Sequence, residues 1–274
     1  MTAPMTTTFL RTVLAVPAAT GRFLAKAQDI TASALMVDLE DGVAEPDKAA
    51  ARELVRQWAS GLAAPARQLW LRVNAHASPH LAADLAAIRG VRLDALVLPK
   101  ATPEAVDALA DRTDLPIVAL VETPDGVEDA RRTAAHPSVT ALMFGELDYR
   151  AELARSGGLH AEDTSWAQAR IVNAAASSGK PAIAGPTADI GDEQRLTAEC
   201  GRQAARGFAG KLCIHPRQLD AVHQAFAPTP RMVAWARRVL DATGDASGAI
   251  AVDGAMVDKP VIDRAHHILA EIHQ

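Results

Sequence analysis

The chain has 274 residues, 49% hydrophobic and 22% charged, the composition of a globular protein with a sizeable core. A net charge of −5 supplies no basic field for nucleic acid, and no apolar run approaches the length of a membrane span. Two cysteines, Cys200 and Cys213, suit a reducing compartment such as the cytoplasm and do not have metal-motif spacing.

The Thr-rich start, residues 1–9, lacks the basic-then-apolar order of a signal peptide and reads as a frayed tail. Apolar runs then alternate with helical patterns. Val13–Val16 reads as a strand, and residues 21–28 as a helix. Leu35–Leu39 is the second strand, followed by a helix that Pro46 opens. Leu69–Asn74, Asp94–Leu98, Pro116–Val121 and Val139–Phe144 are strands three to six, with helices expected near 79–88, 102–110 and 124–135. Residues 149–163 contain Gly157-Gly158 and read as a functional loop. A helix over 164–178 leads to strand seven, Pro181–Ala184. A helix over 192–206 leads to strand eight, Lys211–Ile214, and His215-Pro216 opens one more helix. Eight such alternations with continuously apolar strands predict a (β/α)8 TIM barrel. A doubly wound open sheet is the runner-up, but no Gly-x-Gly-x-x-Gly follows the first strand.

The barrel is expected over residues 1–228, and 229–274 as a C-terminal helical extension. Two helices, near 230–242 and 259–273, flank a Gly/Ala/Ser/Asp linker. Their apolar residues, among them Val233, Trp235, Val239, Leu240, Val261, Ile262, Ile268 and Leu269, call for a partner surface.

In a parallel barrel the carboxyl ends of the strands converge on one mouth. Here those ends present Glu40 and Asp41, Arg72 and Asn74, Lys100, Glu122, Asp148 and His215. The most telling stretch is Leu35-Met36-Val37-Asp38-Leu39-Glu40-Asp41-Gly42, an apolar run ending in three carboxylates. Such acids are tolerable when a cation, arginines or backbone amides face them. The alternative is that they complement the dipole of a helix N-terminus. Converging acids with few cations suit a hard divalent ion such as Mg²⁺, and Glu122 and Asp148 are the ligand pair expected. Any one of these residues taken alone reads better as a surface-loop charge, and it is their coincidence at several strand ends that favours the site.

The motifs Leu39-Glu40-Asp41-Gly42-Val43, Leu71-Arg72-Val73-Asn74, Leu98-Pro99-Lys100, Val121-Glu122-Thr123, Gly145-Glu146-Leu147-Asp148, Ile214-His215-Pro216-Arg217-Gln218 and Gly254-Ala255-Met256-Val257-Asp258 occur in this order. Together they resemble the HpcH/HpaI aldolase/citrate lyase superfamily, in its citrate lyase β-subunit-like (CitE-like) branch. The resemblance spans about residues 11–265. It implies a Mg²⁺-dependent lyase that makes or breaks a carbon–carbon bond beside a coenzyme A thioester, with a 2-oxo acid as second product. Malyl-CoA, citramalyl-CoA and citryl-CoA are the substrates it suggests. By the same resemblance Glu122 and Asp148 bind the metal, Arg72 stabilises charge on the reacting oxygen, and Glu40 and Asp41 orient Arg72 and metal waters.

Asp258 matches a catalytic acid that reaches a neighbouring subunit, implying a homotrimer or hexamer; the alternative is a helix cap. Arg22 and Lys26 match basic residues near the CoA phosphates; the alternative is a solvated helix face. His215 fits a hydrogen-bonding turn better than catalysis. One departure is Ala184, where relatives often carry an acid, which leaves acyl specificity open. Two other functions remain: a citrate lyase β subunit acting on a carrier-protein thioester, and a metal-dependent aldolase of free 2-oxo acids.

Overall fold

The computed structural model describes residues 9–62, 67–243, 250–252 and 254–272. The tail over residues 1–8 and most of the expected linker, residues 244–249 and 253, lie outside the described residues. In chain order the elements are β1 (Thr12–Pro17), α1 (Gly21–Ala27), β2 (Ala34–Asp38), α2 (Lys48–Ser60), β3 (Gln68–Arg72), α3 (Leu81–Ala87), β4 (Ala95–Leu98), α4 (Pro103–Ala110) and β5 (Ile117–Val121). Then follow α5 (Pro124–Glu128), α6 (Ala130–Ala135), β6 (Val139–Phe144), α7 (Glu146–Arg155), α8 (Ser165–Ser177), β7 (Ala182–Ala184), α9 (Glu193–Arg206), β8 (Gly210–Cys213) and α10 (Leu219–Phe226). The chain ends with α11 (Pro230–Thr243), β9 (Ile250–Val252), β10 (Ala255–Val257) and α12 (Lys259–Ala270).

Strands β1 to β8 form a closed parallel barrel in sequence order, with β8 pairing back to β1. The expected TIM barrel is therefore the fold. Strand alternation decides which side chains fill it. Val13, Met36, Trp70, Val97, Leu120, Met143, Ile183 and Leu212 form one buried interior cluster. The same period carries Asp38 on β2 and Arg72 on β3 to the inside of the mouth, and Glu122 follows Leu120 in the same phase. Alternation also turns Ala184 away from Ile183 and toward the helices, where it is buried. An acid at that position would not face the mouth.

Three expectations are corrected. The loop read over 149–163 begins as helix, because α7 runs from Glu146 to Arg155, and only 156–163 is loop. Only Tyr149 of that helix is buried, so the sequence shows no apolar stripe. The single helix read over 124–135 is two, α5 and α6, parted at Asp129. The linker contains an antiparallel hairpin, β9 with β10.

The chain divides into two compact units, Leu10–Ala225 and a second from Phe226 onward that includes Phe9. In the second unit α11 and α12 bury Ala236, Val239, Val257, Ala265 and Ile268 against one another, with Trp235, Leu240, Val261 and Ile262 packed around them. Much of the apolar surface read as needing a partner is thus covered within the unit. The Arg264 guanidinium lies 5.3 Å from the centre of the Trp235 ring.

Candidate active site

The mouth is built around Asp38, the last residue of β2. Its carboxylate accepts backbone N–H bonds from Glu40 and Gly42, each at 2.8 Å. It also accepts a two-pronged bond from Arg72, Nε at 2.7 Å and Nη2 at 2.6 Å. A Cβ on residue 42 would stand 2.4 Å from Asp38 Oδ2, so only glycine lets the loop wrap that carboxylate. Arg72 then has Nη1 left for Glu40 Oε2 at 2.9 Å, with Asp41 at 3.9 Å. Burial works against the Arg72 charge, but Asp38, Glu40 and Glu122 outweigh it and raise its pKa.

Sequence reading gave Asp38 no role, though its phase with Ala34 and Met36 was a usable signal. Lys100, read at the mouth without an assigned role, links the other side. Its backbone N–H donates to Glu122 Oε1 at 2.9 Å, and its Nζ donates to Glu40 Oε1 at 3.1 Å. Asn74 does not join this group. It donates to Leu39 O and to the fully buried Asp84, which also accepts from Arg52 at 2.7 Å. Lys48 donates to the carbonyls of Leu39 and Glu40 at 2.9 and 3.0 Å. These buried contacts hold the turn that presents Glu40.

Glu122 is 2% exposed. Burial first, then the Glu40 and Asp148 carboxylates, push its pKa up to about 8. Residue 145 bears on it directly, because a Cβ there would meet Glu122 Cβ and Oε2 at 2.5 Å. Asp148 is exposed in the first turn of α7, where it also complements the helix dipole. Glu146 of the same turn is engaged by Arg150 and Thr164, each at 2.7 Å.

The chemistry of Glu122 and Asp148 suits a hard divalent cation, which would relieve the repulsion that raises Glu122 and would meet oxygen donors. Among the described residues no three His, Cys, Asp or Glu side chains come together as a group that could hold a metal ion. Two carboxylates leave coordination positions open, as Mg²⁺ sites that also hold water and substrate oxygens do.

The remaining expected residues lie elsewhere. Asp41 is at the rim, its side chain 63% exposed. Arg22 and Lys26 are exposed on α1, one turn apart, and neither pairs with a mouth carboxylate. His215 accepts from Arg217 N as the cap of a short 3-10 turn, and Gln218 carries the longer-range bonds there. Asp258 precedes α12 in the N-cap position, yet its side chain makes no cap hydrogen bond. The capping role weighed for it from sequence is not the one its side chain plays.

Residues 11–216 match the family model of HpcH/HpaI aldolase/citrate lyase. The chain belongs to that family. Within it, a citrate lyase subunit beta-like protein of Mycobacterium tuberculosis is 37% identical over 244 residues, 87% of each chain. A (3S)-malyl-CoA thioesterase of Cereibacter sphaeroides is 35% identical, covering 95% of this chain and 94% of its own. The crystal structure of the M. tuberculosis protein CitE in complex with magnesium, acetoacetate and coenzyme A aligns with a TM-score of 0.81 at 34% identity, over 96% of this chain and 98% of that one. The HpcH/HpaI barrel and the CitE-like branch expected from the ordered motifs are therefore those of this protein. No helix among the described residues is long and apolar enough to cross a membrane.

Proposed function

We propose that this protein is a Mg²⁺-dependent carbon–carbon lyase that cleaves, or in reverse forms, a 3-hydroxyacyl-CoA thioester, giving an acyl-CoA and a 2-oxo acid. The observation that carries the reading is Glu122, a buried carboxylate facing Glu40 and Asp148 at the carboxyl end of a parallel barrel. When bound, the Mg²⁺ supplies Lewis acidity toward the oxygens of the oxo-acid portion.

This chain's residues supply the rest. Glu122 and Asp148 hold the ion. Arg72, locked on Asp38, keeps a guanidinium where negative charge develops on the reacting oxygen. Glu40 and Asp41 orient Arg72 from its free edge. In cleavage the 3-hydroxyl gives its proton to water in the open mouth and becomes the carbonyl, the carbon–carbon bond electrons pass to the thioester enolate, and the enolate takes a proton at carbon from Asp258; condensation is the reverse. Arg22 and Lys26, exposed and unpaired with the mouth, suit the CoA phosphates.

The residue 229–274 extension would deliver Asp258 to a neighbouring subunit of a cytoplasmic homotrimer or hexamer. The Asp258 carboxylate accepts no cap bond from its own helix, which supports a use beyond the helix itself. Mixing inactive Asp258→Ala with inactive Glu122→Gln under proven subunit exchange should restore activity. A mixture that stays dead rules out action across subunits.

The function is tested by incubating malyl-, citramalyl- and citryl-CoA with the enzyme, with Mg²⁺ and with a chelator. A Mg²⁺-dependent 2-oxo acid is the expected product. Release of free CoA thiol without any oxo acid would make the protein a thioester hydrolase, the activity for which the C. sphaeroides relative is named.

A further inference from the structure

Lys100 reaches one carboxylate by two routes. Its φ of 50° puts it in the left-handed region, and it is the one described non-glycine residue with positive φ. Such a conformation persists where the surroundings fix it, often at a functional site. Here it aims the Lys100 N–H at Glu122 Oε1, 2.9 Å away. The side chain then folds over the mouth, so that Nζ lies 3.1 Å from Glu40 Oε1 and 3.7 Å from Glu122 Oε1.

The two mouth cations differ in freedom. Arg72 is pinned by a two-pronged bond to Asp38, with its side chain 14% exposed. Lys100 is 45% exposed, on a flexible stem, and among the described residues Glu40 and Glu122 are the carboxylates within 4 Å of its ammonium, with Asp41 attracting it from farther off. It can swing outward without breaking any other bond.

We propose that Lys100 is a positioning residue and a tethered counter-ion of the Glu122 site. Its backbone N–H fixes one carboxylate oxygen, and its ammonium balances Glu40 and Glu122 until a divalent cation takes over that charge. This rests on the reading of Glu122 and Asp148 as the cation site. Two consequences follow from Coulomb's law. The ammonium opposes an incoming dication, so it weakens metal binding. Once displaced outward, it stays at the rim, where its charge meets an arriving anionic substrate.

The test is Mn²⁺ titration of the full chain by electron paramagnetic resonance, with no substrate present. The proteins are wild type, Lys100→Asn, Lys100→Gly and Lys100→Arg. Asn and Gly both tolerate the left-handed backbone and remove the charge. They are expected to bind Mn²⁺ about tenfold more tightly than wild type, while Lys100→Arg stays within about threefold. Their metal-free melting temperatures should fall, and Mn²⁺ should restore them. A residue with a merely structural role would give weaker metal binding on substitution. Should a variant be too unstable to titrate, the rise of its melting temperature with Mn²⁺ gives the same comparison. Equal or weaker binding by Asn and Gly, with wild-type binding intact, overturns the role of Lys100 alone. A wild type that binds no Mn²⁺ overturns the cation site together with it.

Discussion

The two halves of the barrel mouth use the same residue types to opposite ends. At the ends of β2 and β5, Asp38, Glu40 and Glu122 face inward, with Asp148 close enough to raise Glu122 further. Arg72 and Lys100 do not balance them. Along β7 and β8 the charges turn outward and are enclosed. Lys211, 1% exposed, donates to Gly185 O at 2.7 Å and to Gln203 at 2.9 Å, with Glu199 at 3.9 Å. Thr187 donates to that Glu199, and Gln218 ties Thr187 O to Ile214 N. Lys211 loses proton affinity to burial but keeps a partner in every direction. Unbalanced charge facing the mouth marks the site, and balanced charge facing the helices is scaffold.

The largest expected effect comes from the unbalanced half. Glu122→Gln keeps an acceptor for the Lys100 N–H but loses the charge. Activity should fall by about 10³-fold or more, since a metal ligand and its Lewis acid go together. The circular dichroism spectrum should not change. A variant with substantial turnover would move the site away from Glu122.

Arg72→Lys comes next. Lysine cannot present the planar fork that Asp38 now holds, nor reach Glu40 at the same time. A loss of at least ~2 kcal/mol in transition-state stabilisation is expected, the scale of removing one oxyanion donor. It should appear in kcat rather than in KM. Near-normal kcat would make Arg72 scaffold, like Lys211.

Lys211→Met inverts the comparison. It leaves the Gly185 carbonyl and Gln203 without their buried donor, at a cost of about 2–4 kcal/mol. The melting temperature should fall by about 5–10 °C. Mn²⁺ affinity should stay within about twofold of wild type, because no metal-facing group is touched. A large loss of metal binding would mean that the halves are coupled.

Much of this contrast is legible in the amino-acid sequence. Continuous apolar runs between helical patterns fixed the barrel, because strands buried on both faces have few other compositions. Strand ends then nominated Glu40, Arg72, Lys100, Glu122 and Asp148. What failed was local. Asp38 reads with Glu40 and Asp41 as one acidic cluster, although its phase with Ala34 and Met36 on β2 turns it to the barrel interior as the buried anchor. Asn74 follows Arg72 in the same phase, but the chain has left the strand by then and its amide turns to Asp84. The hairpin was hidden in a stretch judged by composition, although Asp253-Gly254 between two short apolar runs is a hairpin signal. Helix α7 gave no apolar stripe to read. The position of Lys100 is legible, but its left-handed backbone and the reach of its N–H to Glu122 have no sequence signature.

The smallest effect belongs to charges outside both halves. Arg22 and Lys26 are exposed on α1 and pair with no mouth carboxylate. If they collect the phosphates of a CoA thioester, they act in high dielectric, where each contact is weak and screened by salt. The double variant Arg22→Ala/Lys26→Ala should therefore raise KM for the thioester by about fivefold and leave kcat alone. The increase should shrink as ionic strength rises from about 0.01 to 0.5 M, because wild type loses its advantage as the Debye length contracts. Arg72→Lys should show no such dependence, its partners being buried and within hydrogen-bond distance. An unchanged KM at low salt would return Arg22 and Lys26 to an ordinary solvated helix face. A fall in kcat instead would place them nearer the reacting atoms than α1 does.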